Sequence, residues 1–535
     1  MDPNKMLNRI SKLLILFLML LQCFPSFADN FTVQGEVSGS WTADTVFVTG
    51  DLIVSDNNSL TISPGCNVIF NGVYEFRVEG SLQAIGLEDD SIHFTMADTT
   101  GFHIDTIAGG GWLGIRFNHT RLLNDSSVFV YCDFTYGKTV SADPATGHGG
   151  AIYINDFPKV RITKCRFTDN FATYNGGAIY ADSANIIIEQ SYFARNRAGL
   201  SGPPYGYGGA ICSDNSNPDI LWNIFEYNSS TGVGGGLAVR FKDCNVYNNV
   251  FSQNHSALGG GFGILHITDI FYRIDNNLVE GNTAEFFGGG VASLDASPYY
   301  INNTIAYNQS MYGGGFYCKD SVSPDFYNCI IWGNTAGVGP QGYLFEIYSQ
   351  ADFFNCDVQD GPMAFGGSGG GVAFSGAYEN CIEQDPEFLG TGDYPYSLAN
   401  NSPCYDAGSQ DTTGFYLPEY DLAMNPRLSH AFIDIGAYEI VWVGIQSNDL
   451  QDELKVFPIP TTGKFQITST KSQINSTFQI PKIEILDVKG KLIQTRNQEP
   501  RTRNPEFDVS SLPAGVYFVR IYFDRQVVCK KLIIQ

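Results

Sequence analysis

Between Cys165 and Asn334 one pattern returns every 26 to 32 residues. An apolar strand is followed by a small or amide residue, a bulky apolar residue, a polar turn with Asn, and paired or triple glycines. The small or amide position reads Cys165, Ser191, Asn223, Asn249, Asn277, Asn303, Cys329, with spacings of 26, 32, 26, 28, 26 and 26. Five residues after each stands an Asn: Asn170, Asn196, Asn228, Asn254, Asn282, Asn308, Asn334. The glycines fall at Gly176-Gly177, Gly208-Gly209, Gly234 to Gly236, Gly259 to Gly261, Gly288 to Gly290 and Gly313 to Gly315. Columns held in register over this length mark a structural repeat.

A 26-residue unit of short apolar segments cannot bury its own apolar side, but it can stack on a copy of itself. Helical repeats fit poorly, because each unit carries glycines that would cost roughly 1 kcal/mol each inside a helix. Three short parallel strands per coil fit, each pairing with its equivalent about 4.8 Å away. Like then stacks on like. An Asn carboxamide can donate to the Asn on one side and accept from the other. Phe167, Phe193, Phe225 and Phe251, two residues after the first column, point inward by strand alternation. Glycine suits corners where a β-carbon would crowd or φ must be positive. The expected fold is an all-β, right-handed parallel β-helix solenoid followed by a small C-terminal β-sandwich. The hand is supplied by the crossover preference of parallel strands together with the family resemblance given below.

Residues 1–28 read as an export signal, with Lys5, Arg9 and Lys12 before the apolar run Leu13 to Leu21 and small residues at Ser26 and Ala28. No later run is long and apolar enough to predict a transmembrane segment. Residues 29–440 form the solenoid, with either the first short coils over 31–97 or residues 29–45 expected to cap one end and the irregular segment 385–439 the other. Inserts at 137–149 and 199–207 fall between polar turn and glycines, so they emerge from one side; the second carries Tyr205 and Tyr207, taken as ligand-binding candidates. Residues 441–453 read as a linker and 454–535 as a second domain of short antiparallel strands.

Charge separates the two regions. Asp29 to Asn448 holds 15 Lys and Arg against 45 Asp and Glu, net −30, whereas the tail from Asp449 holds 13 against 9, net +4. An acidic body argues against nucleic acid as the main partner and suits cations or neutral sugars. Calcium therefore stays open as a ligand; no other cofactor is implied. Of twelve cysteines, Cys132, Cys165, Cys329, Cys356 and Cys381 lie in the stacking column as small buried residues. Cys329 and Cys356 stand one coil apart, within reach of a disulfide if their rotamers allow it. No Cys pair has the spacing of a zinc or iron–sulfur site.

The body resembles exported right-handed parallel β-helix proteins of the pectate-lyase-like superfamily. More narrowly it is similar to the repeats of chlamydial polymorphic outer-membrane proteins, which pair Gly-Gly-Ala-Ile with Phe-x-x-Asn. The first motif is Gly149 to Ile152, Gly176 to Ile179 and Gly208 to Ile211; the second is Phe167 with Asn170, Phe193 with Asn196, Phe225 with Asn228 and Phe251 with Asn254. Later coils depart from it, with no Phe before Asn282 or Asn308. The tail resembles the C-terminal sorting domain of type IX secretion cargo. The matching parts are Val456 to Lys464 with Pro458, Pro460 and Gly463, then Leu486 to Gly490, then Leu512 to Phe518 with Gly515, then Lys530 to Ile534. The usual Asn between the two prolines is Ile459 here. This resemblance implies handling by the type IX secretion machinery and delivery to the outer-membrane surface, or the surroundings, of a two-membrane bacterium.

Catalysis is less marked. A lyase on this fold needs a cation or basic group to neutralise a uronate and a base near the sugar carbon. Lys159, Arg161, Lys164, Arg166, Arg195 and Arg197 form the densest basic cluster, with Arg166, Arg195 and Asp169 the catalytic candidates. The register sets Arg195 over Asp169, which also fits a surface ion pair. His119, His148, His255 and His266 are scattered. Asp133, Asp169, Glu226 and Glu280 lie near outward turns, outside any one column. The expectation is a surface-displayed adhesin or glycan-binding scaffold facing an extracellular polysaccharide or surface glycan; the alternative is a polysaccharide lyase or glycoside hydrolase.

Overall fold

The computed structural model describes residues 30–440 except 204, 268–271, 416 and 429–431, and in the tail residues 454–535 except 470–481, 489, 498–505 and 524–525. The expected export signal and linker lie outside the described residues, as does Pro204. The chain divides into two compact units, up to Ile440 and from Val441 onward.

The first unit is a parallel solenoid. One coil shows its plan: strands Ile152–Asn155, Val160–Thr163, Arg166–Thr168 and Phe171–Ala172, then the glycines, then Ile179–Asp182 directly over Ile152–Asn155. Each coil here therefore has four strands rather than three, the fourth being only two residues long in this coil. We call the four stacks the first to fourth faces, in that order. The first and third faces join at the base through the long strand Thr45–Val54, so hydrogen bonding makes them one 24-stranded sheet; the second and fourth hold 13 and 8 strands among the described residues.

The corners explain the sequence columns. The residue before each small or amide position has a positive φ: Lys164, Gln190, Trp222, Asn248, Asn276, Asn302 and Asn328. A left-handed residue turns the strand sharply and leaves the next main-chain N–H facing along the stack. The neighbouring coil's side chain accepts it. Asn223 N–H donates to Asn249 Oδ1 at 2.9 Å, Asn249 to Asn277 Oδ1 at 2.9 Å, and Asn277 to Asn303 Oδ1 at 2.9 Å. Serine and cysteine take the same part: Cys165 N–H meets Ser191 Oγ at 3.1 Å and Cys329 N–H meets Cys356 Sγ at 3.3 Å. All eleven described cysteines are free thiols, Cys329 and Cys356 included. The second column is a ladder from Asn170 through Asn196, Asn228, Asn254, Asn282 and Asn308 to Asn334, with carboxamide contacts of 2.8 to 3.0 Å. Gln341 Oε1 accepts from Asn334 Nδ2 at 2.9 Å and ends it.

Beneath the columns runs a phenylalanine stack, Phe94, Phe134, Phe167, Phe193, Phe225, Phe251, with centroids 4.6 to 5.0 Å apart and all six rings buried. The two glycines of each corner act differently. Gly176 has φ +64°, whereas a β-carbon on Gly177 would lie 2.1 Å from the Gly209 carbonyl oxygen.

The ends differ from expectation. Asn30–Glu36 is an ordinary parallel strand on Thr45–Val54, largely exposed, with Trp41 buried behind Phe31. At the far end Phe374 closes the core against Phe353 and Phe365. The segment 385–440 does not cap that end. It lies along the outside of the third face as a strap, over the corner asparagines Asn248, Asn302 and Asn328. Its repeat-free sequence docks through single contacts: Ala437 N–H to Thr304 Oγ1 at 3.0 Å, Gly436 N–H to the Asn328 carbonyl at 2.8 Å, and Leu422 and Tyr438 on Leu278.

The second unit has a three-stranded and a four-stranded antiparallel sheet among its described residues. Phe465, Ile467 and Phe507 from one sheet share a buried core with Ile483, Ile485, Val519, Ile521 and Leu532 from the other. This is a small sandwich.

Candidate functional site: a cleft beside the strap

The basic residues do not converge. Arg195 is held by both oxygens of Asp169, at 2.9 and 2.6 Å, and Arg197 by both oxygens of Asp105, at 2.8 Å each. Arg166 lies over the Tyr192 ring at 4.8 Å, with Asp133 at 3.9 Å; Lys164 reaches the Tyr131 hydroxyl at 2.9 Å; Arg161 pairs with Glu189; Lys159 reaches the Asn124 carbonyl at 3.1 Å. Arg161 stands on the second face, Arg166 on the third and Arg197 on the fourth, so alternate faces point them apart.

The inserted loops fold over the first face. Tyr205 is 54% exposed, while Tyr207 packs under the Arg240 guanidinium, 4.5 Å from its ring centroid. Arg240 grips Asp214 through two nitrogens, and Asp214 also accepts from the Tyr180 hydroxyl at 2.8 Å. His148 stacks on Tyr180 at 4.3 Å. Its Nδ1 accepts from Asn175 N–H at 3.2 Å, so Nε2 carries the proton given to the Pro144 carbonyl. Burial holds its pKa below the ordinary histidine value. The histidine is a buttress for the 137–149 loop.

The carboxylates need one correction. Glu226 and Glu280 do share an outward column, both in register with Ser252 between them. Glu226 accepts from the Tyr192 hydroxyl at 2.8 Å and Glu280 from the Tyr396 hydroxyl of the strap at 2.9 Å. No group of three or more His, Cys, Asp or Glu among the described residues is placed to hold a metal ion.

What the structure does assemble is a cleft of about 520 Å³ where the strap's outer edge meets the second face. Its floor comes from three successive coils: Trp222, then Asn245, Tyr247 and Asn248, then Arg273 and Asp275; its wall is Leu417 to Tyr420. Arg273 and Asp275 are two apart on strand Arg273–Asp275, so both face outward, and they form an ion pair. Burial pushes the Asp275 carboxyl up to about 7, against the pull of Arg273. Trp222 occupies a left-handed corner, φ +58°, where the six coils beyond it carry Asn. Bulky residues are rare in that conformation. None of these cleft residues stands out by spacing. The available signal was only that Trp222 is the last corner residue, after Lys164 and Gln190, before the run of Asn that begins at Asn248.

Comparison with known families decides the class of protein. Residues 455–535 match the secretion system C-terminal sorting domain, and residues 114–298 match the right handed beta helix region. The chain is a right-handed β-helix with a type IX sorting tail. Over 242 residues the chain is 23% identical to the metabotropic glutamate receptor-like protein R of Dictyostelium discoideum, covering 41% of this chain and 15% of that protein. Over 275 residues it is 24% identical to the Escherichia coli (strain K12) protein named probable autotransporter YfaL, covering 48% of this chain and 20% of that one. The chain thus spans no more than 20% of the length of either relative. The sorting tail marks the β-helix for export by the type IX system to the cell surface or the extracellular space. No helix among the described residues is long and apolar enough to cross a membrane.

Within the sorting tail, Pro458 and Pro460 follow strand Leu454–Phe457 and lead to Thr461, which is pinned to the last strand by Thr461 N–H to the Ile533 carbonyl at 2.8 Å. Gly463 precedes strand Lys464–Ser469, Gly490 turns with φ +80°, and Gly515 opens strand Gly515–Phe523.

Proposed function

We propose that this β-helix is a surface-displayed adhesin, a scaffold that binds an extracellular polysaccharide or surface glycan once the type IX machinery has exported it. The observation that carries the reading is the cleft: three aromatic residues, two amides and an ion pair around one depression on a long exported solenoid. Aromatic faces with a few fixed polar groups are what a sugar's C–H face and hydroxyls require. The candidate basic groups, by contrast, are each occupied by a carboxylate, a ring, a hydroxyl or a carbonyl.

The hydrolase alternative has one observation in its favour. Glu226 and Glu280 stand two coils apart, about 10 Å at the spacing of parallel strands, near the upper end of the separation used by inverting glycosidases. The test is a screen of the full chain against acidic and neutral polysaccharides, with and without calcium. It reads reducing ends, unsaturated product and retention together. Retention without product supports the adhesin. Product from one polymer overturns it and turns attention to Glu226 and Glu280.

A further inference from the structure

We infer that the cleft at Trp222 is a subsite for a neutral sugar ring carrying adjacent hydroxyls. This rests on the glycan-binding reading and names its ligand class. Three observations lead there. The first is the conformation of Trp222. Its corner is left-handed, a backbone state that Asn adopts readily and Trp does not. From Asn248 to Asn328 the same corner is Asn, and the strap contacts Asn248, Asn302 and Asn328 from outside. Trp222 stands one coil before the first of these, where the strap's edge at Leu417 to Tyr420 leaves the cleft open. Tyr131 shows that this corner accepts an aromatic residue, so what sets Trp222 apart is its place: its indole stands at the mouth of the cleft, in a corner that Asn fills in the later coils, and that points to a use for its face.

The second observation is the polar floor. Arg273 and Asp275 present donor and acceptor side by side on one strand. A pair of vicinal hydroxyls needs this, one oxygen accepting from a guanidinium N–H and the neighbouring O–H donating to a carboxylate. Asp275 is 95% buried, and its Oδ1 has no hydrogen-bond partner among the described residues. A buried carboxylate oxygen without a donor is costly, and a ligand hydroxyl would satisfy it.

The third observation is charge. Arg273 is matched by Asp275, and Glu419 also lines the cleft, so the site offers no net positive charge. The body around it is net −30 from Asp29 to Asn448. A uronate or sialate would enter against that field. A neutral hexose would not.

The strongest competing role for Trp222 is an apolar plug beneath the strap edge. The two roles separate by experiment. The full chain is titrated by saturation-transfer difference NMR with methyl α-mannoside, methyl β-galactoside, methyl β-glucoside and methyl β-glucuronoside. Thermal unfolding is followed in parallel. At least one neutral glycoside is expected to receive saturation on its ring protons, and the glucuronoside none. Trp222→Ala should weaken the neutral ligand by roughly tenfold, with Asp275→Asn weakening it too. Thermal midpoints should stay near wild type. Binding that survives Trp222→Ala overturns the site. So does loss of binding accompanied by a large fall in midpoint that Trp222→Tyr restores without restoring binding. Preference for the glucuronoside overturns the ligand class. Silence with all four glycosides, while the full chain still retains a polysaccharide, overturns the subsite and leaves the broader adhesin reading standing.

Discussion

Asn302 Nδ2 donates to the main-chain carbonyl of Asp434 at 2.9 Å, across 132 residues of chain. This bond, with Asn302 Nδ2 to the Gly436 carbonyl at 3.3 Å, fixes the last part of the first unit to the middle of the solenoid rather than to its end. Asn302 is itself a corner residue with positive φ. The corner thus serves twice: inside the stack it turns the chain, and outside it supplies side-chain amides for the strap. The strap in turn makes one wall of the cleft.

The inner ladder should tolerate replacement by what the column already uses, and little else. Asn254 joins three partners: its Oδ1 accepts from Asn228 N–H at 3.0 Å, and its Nδ2 donates to Asn282 Oδ1 at 3.0 Å and to the Phe225 carbonyl at 2.9 Å. Asn254→Ala leaves buried groups in two neighbouring coils unmet, at about 1–3 kcal/mol each. Asn249→Ser should be milder, because Ser191 in the same column accepts the Cys165 N–H unaided. Denaturant midpoints for the two variants, followed by circular dichroism, check the order.

The second glycine of each corner should be the least replaceable residue type in the body. A β-carbon on Gly235 would lie 2.2 Å from the Gly260 carbonyl oxygen, a main-chain atom that cannot step aside. Gly109, whose nearest neighbour would be the end of the Ile107 side chain at 3.8 Å, is the control. Gly235→Ala is expected to abolish soluble folded protein or lower its midpoint severely, while Gly109→Ala stays within about 0.5 kcal/mol of wild type. Soluble yield and thermal unfolding measure both.

Much of this was legible in the sequence, and the reason is translation. Identical environments repeat along a solenoid, so a residue needed at one corner is needed at the next, and columns such as Asn170 to Asn334 become visible. The right-handed β-helix and the sorting tail were readable on that ground and from three ordered tail motifs. What repeats only once was not. The strap has no period, so 385–439 read as an end cap. The fourth strand is too short at Phe171–Ala172 to signal itself. The cleft arises where strap and coils meet, and Trp222, Tyr247, Arg273 and Asp275 acquire a common environment only through that contact. The basic cluster looked dense along the chain because neighbouring positions sit on different faces once the coil turns.

Acid should loosen the 137–149 loop. Burial chiefly disfavours a charge on His148, and Arg240 and Arg116 add to it, while the Pro144 carbonyl and Asp214 pull the other way; Nδ1 accepts from Asn175 N–H. Its folded pKa lies below the ordinary histidine value. Protonation therefore favours the open form. The contribution is complete above about pH 6.5 and is lost as pH falls through the folded pKa. Hydrogen exchange corrected for intrinsic rates should show protection of residues 146–149 declining between pH 7 and pH 5, and His148→Gln should remove that dependence.

The strap should respond in the opposite sense. Arg427 is 1% exposed, meets Glu439 Oε1 at 3.3 Å and donates to the Gly436 carbonyl. Burial raises the carboxyls of both Glu439 and Asp434, the latter to about 6. A raised folded pKa means the docked strap holds more protons than the free one, so docking is tightest in acid and weakens as pH rises through those values. Arg427→Leu removes the buried cation that offsets them, and breaking such a buried pair costs about 3–5 kcal/mol. At pH 8 the variant should lose exchange protection at Ile435 and Gly436, whose N–H groups bond the Cys404 and Asn328 carbonyls. Lowering the pH to 5 should restore it in part, because the orphaned carboxyls then take up protons. Protection unchanged at both pH values would mean that the Asn302 and Asn328 contacts hold the strap without the buried charges.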